Sequence, residues 1–400
     1  MLILRSLLFN AAFFAGLPAC GDTTTRRRCV TAHGAAVASW ASTEPEVAAW
    51  FQMAAAEWLI VGGDYAGANL TVATGDVLSG SFTNVGTFLI PSGVTAYVAA
   101  GVPLSITAAN FTLAGILDAS GAGYAGGLSE PNFTTGCPGN GVTTGNPGSG
   151  PGGGAGGVFG CNIHGSGGGG GGYGASGGAS GQTLSDPLAS SGGPSYGNPF
   201  DLIVDMGSGG GSGSQYNWPS GTSGAGGAGG GSVTLLGGTV LLTGAILADG
   251  APGGPGSPPA GYPGTSAGGG GAGGGILLAG DLFLDGLLSV NGGAGGNGST
   301  EIYGSGGGGG AAGRIKLFGT AVVGGSFVVS AAGGGAGSAQ RATVGSGASF
   351  SATGDDATGG SSASSASDSD GSTGDPTGDP DPDPSPSPSS CWRRRPRTPA

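Results

Sequence analysis

The sequence predicts an all-β protein: an irregular, glycine-rich parallel β-solenoid or β-roll of short strands and long glycine loops, with one short N-terminal capping helix. Three observations predict this. Glycine supplies 99 of 400 residues and proline another 25, beyond the usual range for a globular chain. Hydrophobic residues still make up 37% and charged residues only 8%, the reverse of the low-hydrophobicity, high-charge balance of a disordered chain. The apolar residues come in runs of four to six, punctuated by Gly and Asp, and one ending recurs: Gly115-ILDAS-Gly121, Gly244-AILAD-Gly250, Gly286-LLSVN-Gly292.

The spacing of that ending defines a repeat. Gly115 and Gly244 bracket the longest interval, and Gly286 and Gly325 follow at steps near 40, a looser fourth copy running from Gly313 to Gly333. A period of this size, with two or three short strands per copy, suits coils that bury their apolar side chains only by stacking on one another. Within the module Thr87 to Gly123, Val94, Ala96 and Val98 alternate inward, as do Leu104 with Ile106 and Phe111 with Leu113. Phe200-DLIVD-Met206 is a further strand candidate. Ser120, Asp249 and Asn291 precede the closing glycines, where such side chains support a turn. Tracts such as Gly167 to Gly172 and Gly306 to Gly310 leave the coil either as packed layers resembling polyglycine II or as flexible loops.

Domain organisation follows composition. Residues 1–19 read as an export signal: Arg5 is the positive segment and Ser6 to Gly16 the apolar one, too short to span a bilayer. Leu17-Pro18-Ala19-Cys20 resembles a lipobox, with Pro18 in place of the usual Ala, Ser or Thr, which makes Cys20 the expected acylated residue and the membrane the expected partner. Residues 20–42 form a tether, 43–74 a helix and cap, 75–348 the solenoid, and 349–400 a disordered acidic Pro/Ser tail with an Arg-rich end. The helix is expected at 43–58, where Thr43 and Glu46 form a capping box and Val47, Trp50, Phe51, Ala54 and Trp58 share one face. Cys137 and Cys161 flank a glycine-rich loop and are candidates for one disulfide in an oxidising compartment; Cys29 and Cys391 are left over.

The net charge is −12, and between Val30 and Ser390 the cations are Arg314, Lys316 and Arg341 alone. Phosphate neutralisation needs clustered Lys or Arg, so no nucleic-acid partner is expected. The single lysine lacks the glycine spacing of a phosphate loop. Two nucleophile-elbow patterns, around Ser176 and Ser266, lack the strand-to-helix context that chemistry requires. Cys161 and His164 offer two metal ligands where a structural zinc site needs four. Asp118, Asp249 and Asp285 sit at or near repeat corners, where turn geometry already explains them; Asp281 and Asp285 are weak cation candidates. No catalytic residue, cofactor or metal site is expected.

The run NVGTFLIPSGVTAYV…PLSITA…GILDASGAGYAGG, followed by YGNPFDLIVDMGSGGGSG and repeated GGGAGG–strand–G modules, resembles the glycine-rich repeat cell-surface proteins of myxobacteria and related bacteria, loosely PE-PGRS-like, over residues 75 to 340. The tail, with Cys391 and Arg393 to Arg395, is similar to a myxobacterial sorting signal, although no apolar span separates the cysteine from the arginines. The resemblance implies a non-catalytic structural or adhesive protein at the outer membrane or cell surface, or secreted if Cys20 is not acylated. The alternative is a polysaccharide- or ice-binding module, with Tyr124, Tyr173, Tyr196, Tyr216, Trp218 and Tyr262 as an exposed aromatic set; self-association is the other expected contact. A solenoid lyase or hydrolase ranks last.

Overall fold

A computed structural model describes residues 59–129, 142–160, 165–181, 189–214, 222–257, 265–299 and 304–338. The expected helix at 43–58 lies outside them, as do Cys20, Cys29, Cys137, Cys161, Cys391 and both histidines, His33 and His164. The described part is all-β, with parallel sheets and no α-helix.

The strands in chain order are β1 (Leu59–Val61), β2 (Leu70–Thr71), β3 (Val77–Ser79), β4 (Ser81–Ile90), β5 (Thr95–Val98), β6 (Leu104–Leu113), β7 (Ile116–Asp118), β8 (Val142–Thr144), β9 (Val158–Gly160), β10 (Ser232–Leu242), β11 (Ala245–Leu247), β12 (Gly275–Leu284), β13 (Leu287–Ser289), β14 (Arg314–Phe318), β15 (Ala321–Val323) and β16 (Val328–Ser330). One sheet has the order β1-β3-β5-β7-β11-β13-β16, the other β2-β4-β6-β10-β12-β14 with β15 also on β12, and β8-β9 form a small antiparallel ribbon. The chain thus makes a long strand in one sheet, then a short strand in the other, then returns to pair parallel with its previous long strand. The sheets begin at Leu59, upstream of residue 75.

The long strands bend in the middle, and the sequence shows why. In β6, Leu104, Ile106 and Ala108 point inward, then Phe111 and Leu113; in β12, Ile276 and Leu278, then Leu282 and Leu284. A strict alternation would put the second group outside, so the phase change marks a corner. Small residues occupy it. Gly280 there has φ +141, and a Cβ would stand 2.2 Å from the carbonyl oxygen of Gly237 on the neighbouring strand. Between the sheets lies one narrow core. Phe82, Phe88, Phe111, Leu235, Leu278 and Leu288 are at most 1% exposed within it, and the Phe88 and Phe111 rings meet edge to face at 6.0 Å.

The repeat endings stack as the spacing implied. Ile116 pairs with Ala245, and Ala245 with Leu287, so Gly115, Gly244 and Gly286 fall in line. The fourth copy is placed differently. Val328, not the residue after Gly325, pairs with Leu287, and Phe327 holds the position assigned to Gly325. The period near 40 also conceals a shorter unit: Thr87 pairs with Asn110 only 23 positions on, and Thr95 with Ile116 only 21. Later circuits are longer because a glycine excursion enters at one corner, between each short strand and the next long one.

Those excursions form an ordered bundle. Ala267, Gly270 and Gly273 donate to Ser305, Gly308 and Ala311; Gly268, Gly271 and Gly274 donate to Gly254, Ala251 and Ala248; Gly269 and Ala272 donate to Gly211 and Ser208. Three further segments donate to this one, from Gly293 and Gly296, from Gly224, Gly227 and Gly230, and from Gly168 and Gly171. Successive amides therefore point to three neighbours in rotation, and six segments surround the central one. A repeat of three residues is that of an extended polyproline II-type helix, which has no internal hydrogen bonds and must satisfy its backbone through its neighbours. At most of its glycines the packing leaves no room for a side chain: a Cβ on Gly270 would stand 1.9 Å from the carbonyl oxygen of Gly293.

Candidate functional site

The corner carboxylates are committed to structure. Asp118 accepts the Ser120 amide at 2.8 Å, closing a local turn. Asp249 accepts the Asn291 amide at 2.5 Å and the Ser289 hydroxyl at 2.6 Å; Asn291 in turn accepts the Ala332 amide and the Ser330 hydroxyl, each at 2.8 Å. Asp285 accepts the Ser326 amide at 2.9 Å, and Asp281 accepts the Thr320 hydroxyl at 2.6 Å. Apart from Asp118, each side chain ties one circuit to the next. The turn role expected of Asp249 and Asn291 is thereby corrected: neither has positive φ, and both act between circuits. Among the described residues no group of three or more His, Cys, Asp or Glu is placed to hold a metal ion.

The strand expected at Phe200 to Met206 does not form. This segment crosses the outer face of the long-strand sheet, fastened by the single lysine. Lys316 points outward from β14 yet is 6% exposed, because its ammonium donates to the carbonyls of Asn198 (2.7 Å), Asp201 (3.0 Å) and Ile203 and to the Asp201 carboxylate at 2.7 Å. The Lys316 hydrogen bond holds the Asp201 carboxyl below its ordinary 3.8. Val204 is buried beneath the crossing, whereas Phe200, Leu202 and Ile203 stand 60–69% exposed.

Beside this clamp lies an aromatic cluster. Tyr173 is 1% exposed, its ring 4.9 Å from that of Tyr196, with the Arg314 guanidinium 5.3 Å above it. The Tyr173 hydroxyl accepts the Asp205 amide at 2.8 Å, and the Tyr196 hydroxyl donates to the Met206 carbonyl and accepts from Ser208. Burial pushes both phenols well above their ordinary 10.0. These rings plug the junction between bundle and sheet, so Tyr173 drops out of the expected exposed set. Tyr124 is half-buried; Tyr216, Trp218 and Tyr262 lie outside the described residues. Sequence reasoning passed over Arg314 and Lys316, although two cations in one strand of an acidic chain were the available signal.

The polar residues that do converge are serines. The hydroxyls of Ser166 and Ser190 meet at 2.9 Å; Ser190 donates to the Gly156 carbonyl and Ser214 to that of Ser166; Ser266 and Ser305 both donate to the Gly165 carbonyl, at 3.0 and 2.8 Å. Thr265 and Ser299 join them by a backbone bond, and their hydroxyls, each under 7% exposed as residues, have no hydrogen-bond partner among the described residues. All these positions lie within a few residues of the segments 161–164, 182–188, 215–221, 258–264 and 300–303, so those five connectors start and finish at one end of the bundle. Ser266, of the second nucleophile-elbow pattern, donates its hydroxyl to the Gly165 carbonyl, and among the described residues no base partners it. Among the described residues, these hydroxyls are buried, and most are bonded to one another or to carbonyls, so they tie the segments together at this end. An open trough of about 580 Å³ along Ala66, Asn84, Gly86 and Thr107 presents mostly small and backbone groups.

No family model, curated protein or solved structure matches the chain.

Proposed function

We propose that the chain is a glycine-rich parallel β-solenoid, exported and held at the cell surface as a non-catalytic structural or adhesive protein, like the glycine-rich surface proteins it resembles. The observation that carries this reading is how the molecule uses its polar groups. Backbone amides and carbonyls of the bundle bond to one another in three directions, and the carboxylates Asp249, Asp281 and Asp285 join successive circuits. Such a body suits bearing load and holding an end away from the membrane. An acyl chain on Cys20 would anchor it there.

A polysaccharide-binding role is favoured by the sequence of the connectors at the serine-bonded end of the bundle. The connectors that begin there carry Tyr216, Trp218, Tyr262 and Tyr303 in sequence, the aromatic and hydroxyl mixture that sugars use. Ice binding draws less support, because the outward rank on the long-strand sheet reads Thr87, Asn110, Thr239, Asp281 rather than a threonine ladder.

Protease access in intact cells, with an epitope inserted near Ser365, tests location. Digestion without lysis is expected; protection until the outer membrane is opened would replace adhesion with a periplasmic role. A glycan array probed with the full chain and with a variant whose 215–221 connector is replaced by Gly/Ser tests binding. Retention by the first and loss in the second is expected, and uniformly blank arrays would remove the polysaccharide reading.

A further inference from the structure

The four oxygens that surround the Lys316 ammonium all come from one short stretch, Asn198 to Ile203. Three are backbone carbonyls, of Asn198 at 2.7 Å, Asp201 at 3.0 Å and Ile203; the fourth is the Asp201 carboxylate, with Oδ1 at 2.7 Å. Local sequence sets this convergence. Asn198 Oδ1 accepts the Phe200 amide at 3.0 Å, and Asp201 Oδ1 accepts the Ile203 amide at 3.2 Å. Each bond reaches two residues on and makes an Asx turn, and two in succession curl the backbone around one point. Pro199, between them, has no amide to satisfy and a fixed φ. The curl turns carbonyls inward and leaves Phe200, Leu202 and Ile203 outside. Carbonyls gathered in this way, with apolar side chains turned to water, are costly unless a cation holds the centre.

The cage has the dimensions and charge for one class of cation. Calcium draws in six to eight oxygens at about 2.3–2.6 Å, and magnesium demands an octahedron at about 2.0–2.1 Å. Four oxygens at the longer separations of a hydrogen-bonded ammonium suit ammonium itself or potassium, whose hydration shell backbone carbonyls can replace. One carboxylate offsets one positive charge. The lysine reaches the cage from below, out of β14, where its register partner Leu277 is itself fully buried. The opposite side stays open: the Asp201 side chain is 36% exposed against 5% for Lys316, which gives an ion a route from solvent.

We propose that residues 198–203 form a binding site for one monovalent cation, and that the chain fills this site with its own single lysine. The crossing over the long-strand sheet is thereby ordered without a free ion. Removing the ammonium while leaving its space hands the site to ammonium or potassium from solution.

Chymotrypsin cleavage after Phe200 and Leu202 reads the state of the loop, in the full chain with Cys20→Ser so that no acyl group contributes. Lys316→Ala removes the ammonium and leaves room for an ion; Lys316→Met removes the charge but keeps the stem in that space. In choline chloride, whose cation is too large for the cage, both variants are expected to be cut about tenfold or more faster than wild type. Ammonium or potassium chloride at the same ionic strength is expected to return Lys316→Ala most of the way to the wild-type rate. The same salts leave Lys316→Met fast and wild type slow. Lys316→Ala cut equally fast in every salt, ammonium protection shared by Lys316→Met, or protection by calcium in place of ammonium would each overturn the proposal. Should Lys316→Ala fail to fold in choline, refolding yield replaces cleavage as the readout. Recovery in ammonium or potassium but not in choline or calcium supports the site, and recovery in all of these salts or in none overturns it.

Discussion

At the scale of single residues, glycine is required by crowding more than by backbone angles. Most glycines of the bundle have ordinary φ, and the constraint is a neighbouring carbonyl where a Cβ would go. Gly270 and Gly335 make the contrast testable. A Cβ at Gly270 meets the Gly293 oxygen at 1.9 Å, while one at Gly335 meets nothing within 4 Å. Gly270→Ala is expected to cost about 3 kcal/mol, the upper range for overpacking, and Gly335→Ala less than about 0.5 kcal/mol, in chemical denaturation. Tyrosine ionisation gives a second residue-scale prediction. Burial raises the folded phenols of Tyr173 and Tyr196, so the stability they contribute is complete below the ordinary pKa of 10.0 and is lost as pH rises beyond it. Spectrophotometric titration should show two of the eight tyrosines ionising late, together with unfolding.

At the scale of elements, the short strands are too brief to stand alone, and side chains staple them. Asp249 and Asn291 form one staple, each accepting an amide and a hydroxyl from the following circuit. Asp249→Ala strips two donors of their partner and is expected to cost about 1–3 kcal/mol by thermal or urea unfolding. Asp249→Asn, which keeps an acceptor oxygen, should recover most of it. The Lys316 clamp is a second such device. Because Lys316 depresses the Asp201 carboxyl, its contribution is present above the ordinary 3.8 and is lost as pH falls through the lower folded value. Limited proteolysis should cut near Phe200 to Ile203 in Lys316→Met at neutral pH, and in wild type only in strong acid. Equal resistance of both proteins at neutral pH would show that the ammonium does not hold the segment.

At the scale of the whole molecule, two modes of backbone pairing share one chain. A strand bonds sideways to two neighbours within a sheet; the central glycine segment bonds to six around its axis, donating to three and accepting from three. Hydrogen exchange should therefore protect Ala267 to Gly274 as strongly as β10 and β12, although these residues belong to no sheet. Fast exchange there would mean that the bundle opens independently of the sheets.

What the sequence determined by itself is the local pattern: the alternation of Leu104, Ile106, Phe111 and Leu113, and the stacked endings at Gly115, Gly244 and Gly286. Alternation and corner glycines are properties of adjacent residues, so they can be read along the chain. The tertiary structure decided what depends on neighbours distant in sequence. The true circuit of 21 to 23 residues was hidden because glycine excursions lengthen later circuits without changing their register. Phe327 replaced Gly325 in the fourth copy because the ladder from Leu287, not spacing, sets alignment. Phe200 to Met206 carries a strand's composition but lies under the Lys316 clamp instead, held by carbonyls 113 to 118 positions away. The glycine tracts themselves have no pattern to read: one glycine looks like the next. Only the six segments packed around Gly268 to Gly274 tell a close-packed bundle from a loose loop, through hydrogen bonds between chains that meet after folding.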